Sequence, residues 1–227
     1  MEEKKYKLTD ETIEVDGRTL YRIEATKDFG NVKARDKGGF IDKDDNLSHS
    51  GDAWVYGDAK VYGDAEVYGN AEVYDNAEVY GDAEVYGNAK VYDNAKVCGD
   101  AWVYGNAEVY GDAKVYGNAE VYGNAEVYGD AEVCGDAKVY DNAKVCGDAE
   151  VYGNAEVYGN ADYIVFKNWW SSGRWFTWTR SNNKWCVGCF YGTGEELIAK
   201  AYKDSERSGK EYERVVRYVE SILKENQ

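Results

Sequence analysis

The chain has no proline and one histidine among its 227 residues. Large aliphatic residues are scarce: the hydrophobic content of 44% comes mostly from Ala, Val and Tyr. A globular core normally draws on Leu, Ile and Phe, so that kind of core does not account for most of the chain. No run is apolar enough to span a membrane. Residues Met1 to Lys5 lack the apolar stretch of a secretory signal. A cytoplasmic protein without membrane contact is expected. The five cysteines are odd in number and do not have the spacing of a disulfide framework, so free thiols in a reducing compartment are expected.

What is present is a period of six. Eighteen consecutive hexapeptides of the form [GD]-[DN]-A-x-V-[YC] run from Gly51 to Tyr158. In Gly51-Asp52-Ala53-Trp54-Val55-Tyr56, strand alternation puts Ala53 and Val55 on one face and Trp54 and Tyr56 on the other. The x position is usually Glu or Lys, so Ala and Val must point inward. Gly and Asp or Asn tolerate positive φ and form the corner. Three such units close a triangular coil. Six coils give roughly 29 Å of rod at about 4.8 Å per coil. The expected fold is mainly β: a parallel β-helix, or triangular solenoid, with an N-terminal β-hairpin cap and a small C-terminal α+β cap. The spacing Val55 to Ala59, repeated along the chain, resembles the left-handed parallel β-helix of the hexapeptide-repeat family. The left hand is implied by that resemblance, since ordinary parallel crossovers are right-handed.

Stacking places residues eighteen apart above one another. One outer column is then all tyrosine: Tyr68, Tyr86, Tyr104, Tyr122, Tyr140 and Tyr158. A second ends in Cys146, and the third is interrupted by Cys98 and Cys134. Stacked rings should stiffen the rod by about 0.5–1.5 kcal/mol per pair beyond burial. The corners hold Asp and Asn columns. Calcium favours oxygen ligands of that kind, but no dedicated ligand loop is present, so neither metal nor cofactor is expected. In the x column, opposite charges alternate between some coils, as in Glu72-Lys90-Glu108, and like charges meet in others.

Three regions follow: 1–50 as hairpin and degenerate capping coil, 51–162 as solenoid, and 163–227 as a Trp-rich sheet with two helices. Most of the net charge of -16 falls on the solenoid, while 163–227 is mildly basic. Asp16-Gly17 marks the hairpin turn. Phe40, Ile41 and Leu47 are expected to plug the base of the prism. Three strands are expected at about 163–170, 174–180 and 184–191. Capping boxes begin helices at Thr193 and Ser208. Leu197, Ile198 and Ala201 would line the first helix. Tyr212, Val215, Val216, Val219, Ile222 and Leu223 would line the second.

Five segments carry a resemblance over nearly the full length: Leu20-Tyr21-Arg22-Ile23, Lys27-Asp28-Phe29-Gly30, Gly38-Gly39-Phe40-Ile41, Asn46-Leu47-Ser48 and Gly188-Cys189-Phe190-Tyr191-Gly192-Thr193. With the Trp54-Val55-Tyr56 repeats, they make the chain similar to a group of uncharacterised bacteriophage and prophage proteins. That implies a viral origin and a bacterial host cytoplasm, and carries no activity over.

Enzyme chemistry is not indicated. Hexapeptide-repeat acyltransferases use a histidine base beside a loop that interrupts the coils. Here the repeat has neither, and His49, in the cap, reads as a packing residue. Cys186-Val187-Gly188-Cys189 lacks a second ligand pair for zinc and lies on a strand, so structural thiols are expected. The candidate binding residues are Trp169, Trp170, Arg174, Trp175, Trp178, Arg180 and Trp185, because exposed Trp with Arg is the composition of binding hot spots. The expected function is non-catalytic binding of a host protein or nucleic-acid-binding protein, as an inhibitor or acidic nucleic-acid mimic. A structural spacer that self-associates through solenoid faces is the alternative, and an acyltransferase is the weakest reading.

Overall fold

The computed structural model describes residues 4–168 and 173–225. The N-terminal hairpin comprises β1 (Tyr6–Val15) and β2 (Arg18–Ala25), joined by Asp16 and Gly17, both at positive φ. Strand β3 (Lys37–Ile41) pairs antiparallel with β2 and parallel with β5, the second of the eighteen repeat strands β4 (Trp54–Val55) to β21 (Glu156–Val157). Every third repeat strand stacks in register, which makes three faces. Face one runs from β4 to β19, face two from β5 to β20, and face three from β6 to β21. Face two continues through β3 into the hairpin as a 9-stranded sheet; faces one and three are 6-stranded. The bridge Leu47↔Val67 and the β3–β5 pairing make residues 37–47 the degenerate extra coil.

The pattern of the repeat explains the packing. Ala and Val of every repeat are at most 1% exposed and fill the narrow interior of the coils. The x-position amide of one coil donates to the Ala carbonyl of the next, as Glu84 N does to Ala101 O at 3.0 Å. The first corner residue sits in the left-handed region. Gly99 has φ 71°, and Asp93 takes the same corner at 60°, as a short polar side chain can. A Cβ on Gly81 would come within 2.9 Å of Gly99 N, which is why glycine dominates that position.

Both ends of the rod are closed by side chains. At the base, the buried Lys5 ammonium donates to Gly51 O and Ala53 O, the Asn46 amide to Gly63 O and Ala65 O, and Arg22 to Gly38 O and Gly57 O. At the top, the last x-position amides lack a further coil. Lys144 N donates to Asn160 Oδ1 at 3.0 Å, Glu150 N to Thr177 Oγ1 at 2.9 Å and Glu156 N to Ser181 Oγ at 2.7 Å. Each face therefore ends on one side-chain oxygen. An unpaired buried amide costs about 1–3 kcal/mol, and an open row of them templates end-to-end pairing.

The C-terminal sheet has four strands where three were expected: β22 (Tyr163–Lys167), β23 (Trp175–Thr179), β24 (Lys184–Val187) and β25 (Phe190–Gly192). Gly188, at φ 55°, turns the expected third strand into a hairpin. Residues 169 and 170 of the expected first strand lie outside the described residues. Helix α1 (Gly194–Asp204) starts at Thr193, with the capping box as expected. Helix α2 (Glu206–Glu225) starts earlier than Ser208. Its cap is Ser205, whose Oγ accepts from Ser208 N at 3.0 Å, so Ser208 lies in the first turn.

The base also differs in detail. Ile41 and Leu47 are in the solenoid core with Tyr6, Ile23, Ala25 and Val32. Phe40 is not a plug. It lies outside face two, covered by Leu20 and by the Arg22 guanidinium 4.1 Å from its ring. Alternation along β3 explains this, because Phe40 and Ile41 must face opposite sides.

Candidate functional site

The aromatic C-terminal cluster is divided by its sheet. Phe176, Trp178, Trp185 and Val187 face the helices and form a core with Leu197, Ile198, Ala201, Tyr212, Val216 and Val219. Trp178 and Trp185 are each 2% exposed, and Trp178 Nε1 donates to Asn183 Oδ1 at 2.9 Å. These two rings are withdrawn from the surface and cannot form a docking site. Helix packing over one side of the sheet and the last coil under the other buries both faces of β23. Trp175 is half-buried, with the Lys167 ammonium 5.1 Å from its ring, and Arg174 and Arg180 are exposed. Trp169 and Trp170 lie outside the described residues. The predicted set is thus not brought together on one surface.

Of the two thiols in the Cys186–Cys189 pair, Cys186 is packed as expected and Cys189 is not, while the histidine is held in the cap. Cys186 Sγ donates to Glu150 Oε2 at 2.9 Å, and burial, then Glu150, pushes the thiol far above its usual range. Cys189 is exposed in the turn after β24. His49 stacks on Tyr6 with centroids 4.3 Å apart, and its Nδ1 accepts from Lys5 N, so Nε2 carries the proton of the neutral ring. Burial lowers its pKa further, which keeps it neutral in the cap.

The solenoid surface is more ordered than the x column suggested. Tyr68, Tyr86, Tyr104, Tyr122 and Tyr140 stack at 4.8–5.1 Å, and Tyr158 tilts by 37° at the capped end. Tyrosines also reach diagonally to a glutamate of the next coil: Tyr68 Oη donates to Glu84 at 2.6 Å, Tyr92 to Glu108 at 2.9 Å and Tyr104 to Glu120 at 3.1 Å. The corner amides Asn70, Asn88, Asn106 and Asn124 form a hydrogen-bonded ladder. Every repeat lysine pairs with a glutamate one coil away, Lys138 with Glu120 at 2.8 Å among them.

Face three departs from this scheme. Its x column holds Glu66, Glu84, Glu120 and Glu156 with one lysine, Lys138. Its leading corner adds Asp64, Asp82, Asp100 and Asp136. At the centre stands Trp102, 42% exposed and in register between Glu84 and Glu120. Asp82, Asp100 and Asn118 complete a shallow groove around it. Among the described residues, no cation pairs with Asp82, Glu84 or Asp100. Sequence reasoning passed over Trp102. The available signal was that a large aromatic side chain occupies an outward position otherwise held by charge, in a coil with no cap nearby.

The same position in the first repeat is Trp54, which is 1% exposed. It packs edge-on against Tyr6 and Phe29, with centroids 6.1 and 5.3 Å away. Cap residues therefore cover one indole, while the other has no such cover.

Neither protein-family models nor curated proteins match the chain. Among the described residues, no group of three or more His, Cys, Asp or Glu side chains is placed to hold a metal ion. No described helix is long and apolar enough to cross a membrane.

Proposed function

We propose that the protein is a non-catalytic binding protein whose acidic solenoid engages the basic surface of a macromolecular partner. The observation that carries this reading is the uneven neutralisation of the rod. Lysines pair with Glu72, Glu78, Glu126 and Glu132 on faces one and two. On face three they pair with Asp64 and Glu120, but among the described residues none pairs with Asp82, Glu84 or Asp100. Unpaired carboxylates on a rigid scaffold attract cationic partners and speed their encounter. Basic nucleic-acid-binding proteins have the matching charge. The resemblance to phage and prophage proteins supports a phage origin, with a host macromolecule as target. Side-chain closure of both ends weighs against a spacer that grows end to end.

The test is a capture experiment in bacterial lysate with the wild-type chain and with Asp82→Asn/Asp100→Asn. The expected result is a basic protein retained by the wild type, released by added salt and reduced on the variant. Retention of the same proteins by both forms, or of none, would sink the reading.

A further inference from the structure

We infer that Trp102 is the anchor for an arginine side chain on a segment of a basic protein partner. The inference rests on the acidic-binding reading and identifies the point of contact. Four observations lead to it. First, Trp102 is the large apolar residue of an otherwise charged outward column, and 42% of its surface is open. Second, it interrupts the bonding of its own face. Tyr68 and Tyr104 donate to glutamates one coil on, but the corresponding neighbour of Tyr86 is Trp102, which has no acceptor to offer. The ring therefore removes an interaction that the repeat supplies elsewhere. Third, the identical hexapeptide at Gly51–Tyr56 places its indole under a cap. An exposed indole in the same setting contributes little to the fold. Fourth, Asp82, Glu84 and Asp100 line the groove rim with carboxylates, and Asn118 and Glu120, the latter paired with Lys138, complete it.

Charge decides the occupant. Phosphates of nucleic acid would meet Asp82 and Asp100, one coil apart, and be repelled. A purely apolar partner would strip water from those carboxylates without replacing their hydrogen bonds. A guanidinium suits both elements of the site. It lies flat on an indole face as a cation–π partner and presents its fork of N–H donors to carboxylates at the rim. An ammonium is a more strongly hydrated point charge and fits less well.

The experiment titrates labelled oligoarginine and oligolysine peptides of equal length against the full chain, with Trp102→Ala, Trp102→Phe and Asp82→Asn/Asp100→Asn variants alongside. Circular dichroism checks that each variant is folded. The wild type should bind oligoarginine about fivefold more tightly than oligolysine. Trp102→Ala should abolish that preference, Trp102→Phe should keep part of it, and the double Asn variant should weaken both peptides alike. Unchanged preference in Trp102→Ala would overturn the arginine anchor and leave the acidic-binding reading standing. No binding of either peptide to the wild type would overturn both. Trp102-dependent binding of a single-stranded oligonucleotide, or a dimer lost in Trp102→Ala, would assign the groove to another occupant and overturn the inference.

Discussion

Gly51–Tyr56 and Gly99–Tyr104 are the same six residues, yet their tryptophans have different surroundings. Trp54 packs edge-on against Tyr6 and Phe29, within the cap where the buried Lys5 ammonium bonds to Ala53 O at 2.7 Å. Trp102 stands among carboxylates with nearly half its surface open. The hexapeptide determines where the side chain points, and the rest of the chain determines whether it is covered. In a repeat this regular, an indole that the fold leaves uncovered marks the surface where something else can be recognised. The C-terminal tryptophans show the converse. Trp178 and Trp185 have the composition of a binding cluster and are core.

The largest effect is expected from pH, because it acts on every coil at once. Burial, with added contributions from the glutamates, raises Tyr56 and Tyr110 to about 12. Their folded values lie above the unfolded value near 10. The stability they contribute is therefore complete below about pH 10 and is lost as pH rises through the folded values. Denaturant unfolding followed across that range should show a steep alkaline loss. Tyr86, which is raised by burial and Glu84 but lacks the diagonal bond, should form phenolate before Tyr104 does. A Tyr86 that titrates together with Tyr104 would break the contrast between the Trp102 coil and its neighbours.

Next in size is Trp54→Ala, expected to cost about 3–5 kcal/mol because the cap cannot collapse into the space left behind. Chemical denaturation would measure it. A loss below about 1 kcal/mol would mean that the cap does not depend on the indole, and the two tryptophans would then be equivalent.

Most of the architecture was legible because the period of six fixes which residues face inward. Ala and Val fill the interior, Asp or Gly takes the corner, and Tyr columns stack as spacing requires. The diagonal Tyr-to-Glu bonds were not legible. They depend on how a side chain leans along its strand toward the next coil, which alternation alone does not specify. The position of Phe40 outside face two could have been read from alternation, but a bulky residue beside Ile41 suggested a plug. Ser205, not Ser208, caps α2, since its Oγ accepts from Ser208 N and places Ser208 in the first turn. The site was least legible of all. Identical hexapeptides cannot distinguish Trp54 from Trp102, since the difference lies in Tyr6 and Phe29, which are far upstream of Trp54 in the chain.

The smallest effect is expected at Trp102 itself, and it is the most direct test. Trp102→Glu restores the common residue of the repeat and offers Tyr86 the acceptor that its neighbours have. Its unfolding free energy should lie within about 0.5 kcal/mol of the wild type, or above it. A loss of about 3 kcal/mol, comparable with that of a core tryptophan, would show that the indole belongs to the fold and would contradict its assignment to a partner.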